Sequence, residues 1–560
     1  MKDYTCPNSD PSKKRNDFKL RGTSLGGWLV LEPWLTPSLF YQFLGLTEKY
    51  GDMAKNHIAI DSKTFCSALG PEEANRQLRQ HWKTWVDEEQ IRNLAEINVE
   101  VLRIPLGDWM FASYEPYIGC MDGAIDELNR VLSLCEKYNL RVLLDIHAVR
   151  MSQNGLDNSG DTGTFEWEGV STLNEKGSAI GIEVSKYRHW DIRGGNWAGN
   201  FNVTSQSYST INNTNIEMTH EVVKRVVELY KESKVVVGIT PVNEPWITIP
   251  LEVLKDFYWS SYQVVQEHAP HWITLMHDSF RLAPDNWGGE WMKGCDNWAL
   301  DTHIYQAWAD HAPAEYFIDT ACGAYELLNL GDMEDVGVPI VVGEWSLATD
   351  NCAMWLNGLN DNVPGYPKVQ CEFVPCPEPY MGDNQPNAPP PTDTSINTMD
   401  PMGSGGPSFV INGTCPRDRS FPGDNIRAVR DISYAKLNVF ENYMHGHFFW
   451  NFRTEFEPRW DYQMAVELGW IPTDWSSKSK EMTKIHSACL GYANLPPREG
   501  ESQVKIWGSI AYIVVPLILL LAAFFRKQYW LGQRKSASFR YESIGEAVVE
   551  AGNERAVEMK

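Results

Sequence analysis

Eight short apolar runs, separated mostly by amphipathic helical stretches, constrain this chain more than any other feature. They are Leu20 to Leu25, Val99 to Pro105, Arg141 to His147, Val235 to Glu244, Ile273 to Met276, Trp298 to Tyr305, Pro339 to Glu344, and His447 to Phe452. Apolar, β-branched runs of this length read as strands buried on both faces of a parallel sheet. Pro71 to Ala95, Gly123 to Lys137, Glu217 to Lys234 and Leu251 to His268 have helical spacing and lie between them. Strands alternating with helices predict parallel βα units, and eight such units predict an α/β fold of the (β/α)8 barrel class. Two insertions interrupt the pattern. Residues 150–215 form a loop after the third run. Residues 358–425 follow the seventh and contain Pro389-Pro390-Pro391 among many Gly, Asn and Asp.

Two of the runs end in glutamate: Val242-Asn243-Glu244-Pro245 and Val342-Gly343-Glu344-Trp345-Ser346. A carboxylate at the C-terminal tip of a barrel strand points into the mouth, where barrel enzymes keep their chemistry. Two carboxylates facing one substrate, with pKa values held apart, are the apparatus for cleaving glycosidic bonds. Either motif alone would be an ordinary strand cap. Together, each after its own strand, they point to Glu244 and Glu344 as a catalytic pair.

The composition narrows the substrate. A net charge of −24 lacks the basic surface that nucleic acid demands, so nucleic acid is excluded as a partner and a neutral substrate fits better. The 23 Trp, 23 Tyr and 21 Phe supply a core and rings of the kind that line sugar clefts. No Cys-x-x-Cys, His-Glu-x-x-His or phosphate-loop pattern occurs, so neither a metal nor an organic cofactor is expected. The 11 cysteines leave at least one thiol free or paired elsewhere. Cys371, Cys376 and Cys415 read as a stapled loop. Sequons at Asn202, Asn212 and Asn412 are candidate glycosylation sites in polar stretches and agree with an oxidising compartment.

Ile506 to Phe525 is uncharged, mostly apolar and long enough to cross a bilayer as a helix. Arg526, Lys527, Arg534, Lys535 and Arg540 follow it, which places the tail inside and the larger part of the chain outside. The expected order is an N-terminal extension (1–17), a catalytic domain (18–489), a juxtamembrane linker (490–505), a single transmembrane helix (506–525) and a cytoplasmic tail (526–560). This is the plan of a single-pass plasma-membrane protein with an extracellular enzyme domain and the lipid bilayer as a partner. Met1 to Cys6 carry no apolar signal core, so the native start is expected to lie upstream.

Further residues bring a known family into view. Arg21-Gly22-Thr23-Ser24-Leu25-Gly26-Gly27-Trp28 opens the first run and continues to Leu31-Glu32-Pro33. Leu102-Arg103-Ile104-Pro105 ends the second. Ser152-Gln153-Asn154-Gly155 and Asp157-Asn158-Ser159-Gly160 follow the third. Asp301-Thr302-His303-Ile304-Tyr305-Gln306 lies in the sixth. With the two glutamate motifs, these resemble the exo-β-1,3-glucanases of glycoside hydrolase family 5, from about Phe18 to Cys489.

The resemblance implies a retaining barrel glycosidase with Glu244 as general acid/base and Glu344 as nucleophile. It implies that Arg103 holds Glu344 ionised, and that Asn243 bonds the sugar 2-hydroxyl or orients its neighbour. His147, His303 and Tyr305 would line the scissile bond. Glu32, Asp157 and Asn158 would grip the outer hydroxyls of the terminal glucose and close the pocket, making the enzyme exo-acting. Trp308 would clamp the leaving sugar. Trp450 is preferred to Phe452 as the floor, the two being expected to face the same way. Ala148-Val149-Arg150-Met151 and Leu156 depart from the family pattern on the acceptor side. The expected function is hydrolysis of terminal glucose from β-1,3-glucan in cell-wall metabolism, with transfer to sugar acceptors as a second outcome. A β-glucosidase for a non-glucan glucoside and a non-catalytic glucan receptor are the alternatives.

Overall fold

The computed structural model describes residues 3–7, 18–43, 57–163, 169–175, 178–186, 194–309, 312–324, 330–350, 353, 355–356, 358, 423–455 and 457–491. Eight parallel strands close into a barrel. They are β1 (Leu20–Ser24), β2 (Val101–Gly107), β3 (Arg141–Ala148), β4 (Val236–Thr240), β5 (Ile273–His277), β6 (Trp298–Ile304), β7 (Ile340–Trp345) and β8 (Gly446–Phe449). Each falls on one of the eight apolar runs. Each strand pairs with its neighbour in sequence, and β8 closes the ring on β1 through Leu20–Gly446 to Thr23–Phe449.

Period-2 alternation builds the interior in layers. The lower layers are apolar, with Leu20, Val101, Leu143, Ile273, Leu275, Ala299, Val341 and Phe448 forming one buried cluster. Stepping two residues up the same strands changes the chemistry. Val101 gives way to Arg103, Leu143 to Asp145 and His147, Leu275 to His277, and Ala299 to Asp301 and His303. The barrel is thus plugged with hydrocarbon below and lined with ionisable groups at the mouth. A register shift between Thr302 and His303 sets His303 opposite Glu344. Gly343 allows the close approach this requires, because a Cβ there would lie 1.9 Å from Asp301 Oδ1.

The outer ring includes α1 (Pro71–Trp85), α2 (Glu88–Glu96), α3 (Ala124–Tyr138), α4 (Asn213–Tyr230), α5 (Leu251–His268), α6 (Ala314–Cys322) and α7 (Gly423–Tyr443). The single stretch expected from Pro71 to Ala95 is split in two. Asp87 breaks it by capping the second helix through the Gln90 N–H at 2.8 Å. The insertion at 150–215, read from sequence as a loop, contains two antiparallel hairpins: Gly169–Glu175 with Ser178–Lys186, and Gly199–Asn202 with Ser207–Ile211. Ile180, Ile182 and Val184 stand at every second position, the pattern of a strand.

Among the described residues three disulfides join Cys6 to Cys295, Cys66 to Cys120, and Cys322 to Cys489, while Cys135 is a buried free thiol. The stapled loop expected from Cys371, Cys376 and Cys415 lies outside the described residues, as do Asn412 and the span 506–525. Among the described residues no helix is long and apolar enough to cross a membrane. The chain through Leu490 forms one compact unit.

Candidate active site

Strand geometry delivers the expected residues to one place. Arg103 rises from β2 fully buried, and its guanidinium serves three partners. Nη1 donates to Glu344 Oε1 at 2.8 Å, and Nη2 donates to Asn243 Oδ1 at 2.7 Å and lies 3.1 Å from Asp145 Oδ2. Asp145 also accepts from His147 Nδ1 at 2.6 Å, which leaves His147 Nε2 facing the Asn243 amide at 3.4 Å. Arg103 and His147 thereby fix Asn243 from two sides, which agrees with an orienting part for this residue. The Gln153 amide ties the His147 and Asn243 carbonyls together at 2.8 and 2.9 Å.

The two glutamates meet at His303. Its Nδ1 lies 2.7 Å from Glu244 Oε1 and 3.4 Å from Glu344 Oε2, while Nε2 lies 3.5 Å from Asp301 Oδ2. Tyr305 donates its hydroxyl to Glu344 Oε2 at 2.7 Å. Glu244 has φ of 42°, a left-handed backbone that a non-glycine residue adopts at a cost, and such strain gathers at functional positions.

Charge distribution follows from these contacts. Burial acts to lower His303, but the carboxylates of Glu344, Asp301 and Glu244 outweigh it and hold the ring well above the ordinary histidine value. Burial acts to raise Glu244, yet the hydrogen bond and charge of His303 win and bring it down to about 2. Burial pushes Glu344 above the ordinary carboxyl value, against the pull of His303 and Arg103. This corrects one expectation. Arg103 does pull Glu344 toward the ionised form, but the dry setting outweighs it. The His303–Glu244 pair therefore holds one proton between its two members, with the charge of each stabilising the other.

Asn158 differs from its expected place. Its side-chain amide donates to Glu244 Oε2 at 2.8 Å, so it holds the acid/base candidate. Asp157 and Glu32 are both buried. Burial and the nearby Asp61 push Asp157 up to about 8. Burial and Asp157 push Glu32 well above the usual range. Trp34 donates to Glu32 Oε2 at 3.1 Å, and Glu32 Oε1 has no hydrogen-bond partner among the described residues.

The aromatic expectations resolve unevenly. Trp450 stacks on His147 with centroids 5.3 Å apart and 8° between planes, and Arg103 lies 6.0 Å from its centre. Phe452 instead packs edge-on against Trp85. The two do not face the same way, because β8 ends at Phe449 and its alternation stops there. Trp308 meets Tyr305 edge-on at 5.9 Å. Trp460, which the sequence did not bring forward, fills the space between Tyr305 and Trp34 at 5.1 and 5.0 Å. Asn202 is exposed in its hairpin, whereas Asn212 is half-buried and caps α4.

Asp145, His277 and Asp301 are functional candidates that the motifs did not isolate. The signal was present in the alternation, since each stands two residues from an inward-facing neighbour on its strand. Glu244, His277 and His303 offer ligating atoms within 4.8 Å of one another. The 2.7 Å approach of His303 to Glu244 is a proton-bearing hydrogen bond, which a cation would have to displace.

No family model matches the chain. It is 28% identical over 491 residues to a glucan 1,3-beta-glucosidase of Blumeria graminis, covering 85% of this chain and 92% of that one. It is 29% identical over 461 residues to a probable glucan 1,3-beta-glucosidase A of Emericella nidulans, covering 81% and 90%. Among solved structures, the rutinosidase from Aspergillus niger superposes with a TM-score of 0.51 at 17% identity, covering 82% of this chain and 99% of that one, a likeness of fold. The relatives and the barrel agree with the carboxylate pair: the chain is homologous over most of its length to proteins named glucan 1,3-beta-glucosidases.

Proposed function

We propose that the chain is a retaining exo-β-1,3-glucosidase that releases terminal glucose from cell-wall glucan. The observation that carries this reading is the sharing of His303 by Glu244 and Glu344. The sum of the two distances from Nδ1 caps the separation of the nearest carboxylate oxygens. So close an approach of two carboxylates suits the roughly 5–5.5 Å of retaining pairs better than the roughly 6.5–9.5 Å of inverting ones.

In this mechanism Glu344, aimed by Arg103 and Tyr305, attacks the anomeric carbon. The glycosidic C–O bond breaks as the one proton of the His303–Glu244 pair passes through Glu244 to the leaving oxygen, which leaves Glu244 ionised and His303 neutral. Water then attacks the glycosyl–Glu344 ester, giving its proton to Glu244 and freeing Glu344. A sugar hydroxyl in place of that water gives transglycosylation. Asn243 is placed for the 2-hydroxyl, and Trp450 forms the floor. In this reading Glu32 and Asp157, both buried, grip the outer hydroxyls of the terminal glucose and close the pocket, giving exo action.

The sequons, the disulfides and the basic tail after 506–525 support an extracellular domain anchored in the plasma membrane. NMR of laminarin oligosaccharides incubated with the protein, beside a Glu344→Gln control, tests the catalytic reading. First release of glucose as the β-anomer, absent in the control, is expected. Release as the α-anomer would overturn retention. Internal cleavage would overturn exo action.

A further inference from the structure

A second concave site lies at the opposite end of the barrel from the carboxylates. A cavity of about 500 Å³ opens between the chain entering β2 and β3 and the segment after the barrel, lined among others by Asn98, Glu100, Tyr138, Arg141, Thr473 and Trp475. Arg141 and His147 mark the two ends of β3, roughly 20 Å apart at the rise of a strand. The volume lies within the range of sites that hold small ligands.

Its chemistry selects a neutral, hydroxyl-rich ligand. Glu100 is flanked by Arg21 at 2.8 Å and Arg141 at 3.1 Å, so the cations here are already engaged. Asp474 adds negative charge, its carboxylate bonded to the Ser476 N–H at 2.9 Å. An anion therefore finds no uncommitted cation on this wall, while neutral hydroxyls meet donors and acceptors on several sides. Asn98 is tied to the Thr473 carbonyl at 2.9 Å, which holds the two sides of the cavity at a fixed spacing. Trp475 is half-buried, with Arg21 5.4 Å from its ring centre and His447 packed at 5.6 Å. A ring held in this way beside polar groups is the pairing that recognises pyranose faces.

We infer that this cavity is a second, non-catalytic binding site for a neutral oligosaccharide segment. Its occupant is a stretch of the same glucan that enters the barrel mouth. That identity rests on the catalytic reading above; the preference for a neutral sugar rests on the cavity alone. Two sites on one rigid barrel raise the effective affinity for a polymer, and do nothing for a substrate small enough to occupy one site.

The test compares the full-length chain with Trp475→Ala and with Thr473→Arg, which fills the cavity from an exposed position and keeps the Trp475 packing. Adsorption to insoluble β-1,3-glucan is measured beside kcat/KM on an aryl β-glucoside. Loss of one ring contact should weaken adsorption by roughly three- to tenfold, and Thr473→Arg should do the same. Aryl glucoside turnover should be unchanged, which also reports that both variants are folded. Adsorption equal to the unmodified chain in Thr473→Arg would overturn the site. A failure of the catalytic reading would appear separately, as an unmodified chain that leaves the aryl glucoside intact.

Discussion

His303 Nδ1 lies 2.7 Å from Glu244 Oε1, and this contact decides where the acid's proton stands before sugar binds. The ring is held charged by the carboxylates around it, and Glu244 is held ionised by the ring. The pair loses its one transferable proton only when pH rises through the raised His303 pKa. The basic limb of kcat/KM should therefore lie above the ordinary histidine value of 6.5. The acid limb should follow Glu344 and lie above 4.5, since the nucleophile must ionise. A kcat/KM profile from pH 3 to 9 checks both limbs. His303→Asn should lower kcat and remove the high basic limb. A basic limb unmoved in that variant would place the proton elsewhere.

The two glutamates should separate by leaving group. Glu344→Gln should abolish cleavage of every substrate. Glu244→Gln should cost about 10²–10⁴ in kcat on laminarin oligosaccharides. On a dinitrophenyl glucoside, whose leaving group departs without a proton, Glu244→Gln should retain the glycosylation step. Pre-steady-state release of dinitrophenol measures it. Equal losses on both substrates would remove Glu244 from the acid role.

Tyr305 donates to Glu344 Oε2 at 2.7 Å, a hydrogen bond to a group that must carry charge. Such bonds contribute about 1.5–3 kcal/mol, so Tyr305→Phe should lower kcat/KM by roughly ten- to a hundredfold. The ring packing on Trp460 survives this change. Thermal unfolding should therefore shift little while the kinetics fall.

Lys436 is buried behind the β7 tip, where its Nζ donates to the Ser346 carbonyl at 2.8 Å. Burial lowers it to about 7 from 10.5. Between those values the unfolded chain holds a proton that the folded chain does not, so this group's contribution to stability rises with pH across that window. Below about pH 7 the penalty is complete, on the order of 5 kcal/mol. Lys436→Met should raise the Tm at pH 6 despite leaving the Ser346 carbonyl without this donor. The gain should shrink steadily toward pH 10. Calorimetry across that range reads it directly.

How much was legible in the sequence depended on whether the information was local. Each strand is its own apolar run, so all eight could be read one at a time. His147, His303 and Glu344 stand next to the ends of their strands, where position implies direction, and Arg103 lies within β2 on its inward-facing alternation. The partners that bind them together were harder. Asp145 and Asp301 look like any acidic residue until the barrel closes and places them against Arg103 and His303. Asn158 reaches Glu244 across a loop of the third βα unit, a contact no spacing encodes. Trp450 and Phe452 were misjudged because alternation was extended past the end of β8. Cys6 and Cys295 lie 289 positions apart and meet only through the folded surface.

The Cys322–Cys489 bond bears on how the domain meets mechanical load. It fastens the last helix of the unit, Lys480–Ser487, to the end of α6. A pull on the chain beyond Leu490 would otherwise peel that helix away turn by turn, each hydrogen bond loaded alone. With the bond in place the force passes at Cys489 into α6, whose Phe317 packs on Ile432 of α7. The domain then resists as a body. A load entering the domain at its C-terminal end is thus shared by two packed helices and leaves the barrel closed.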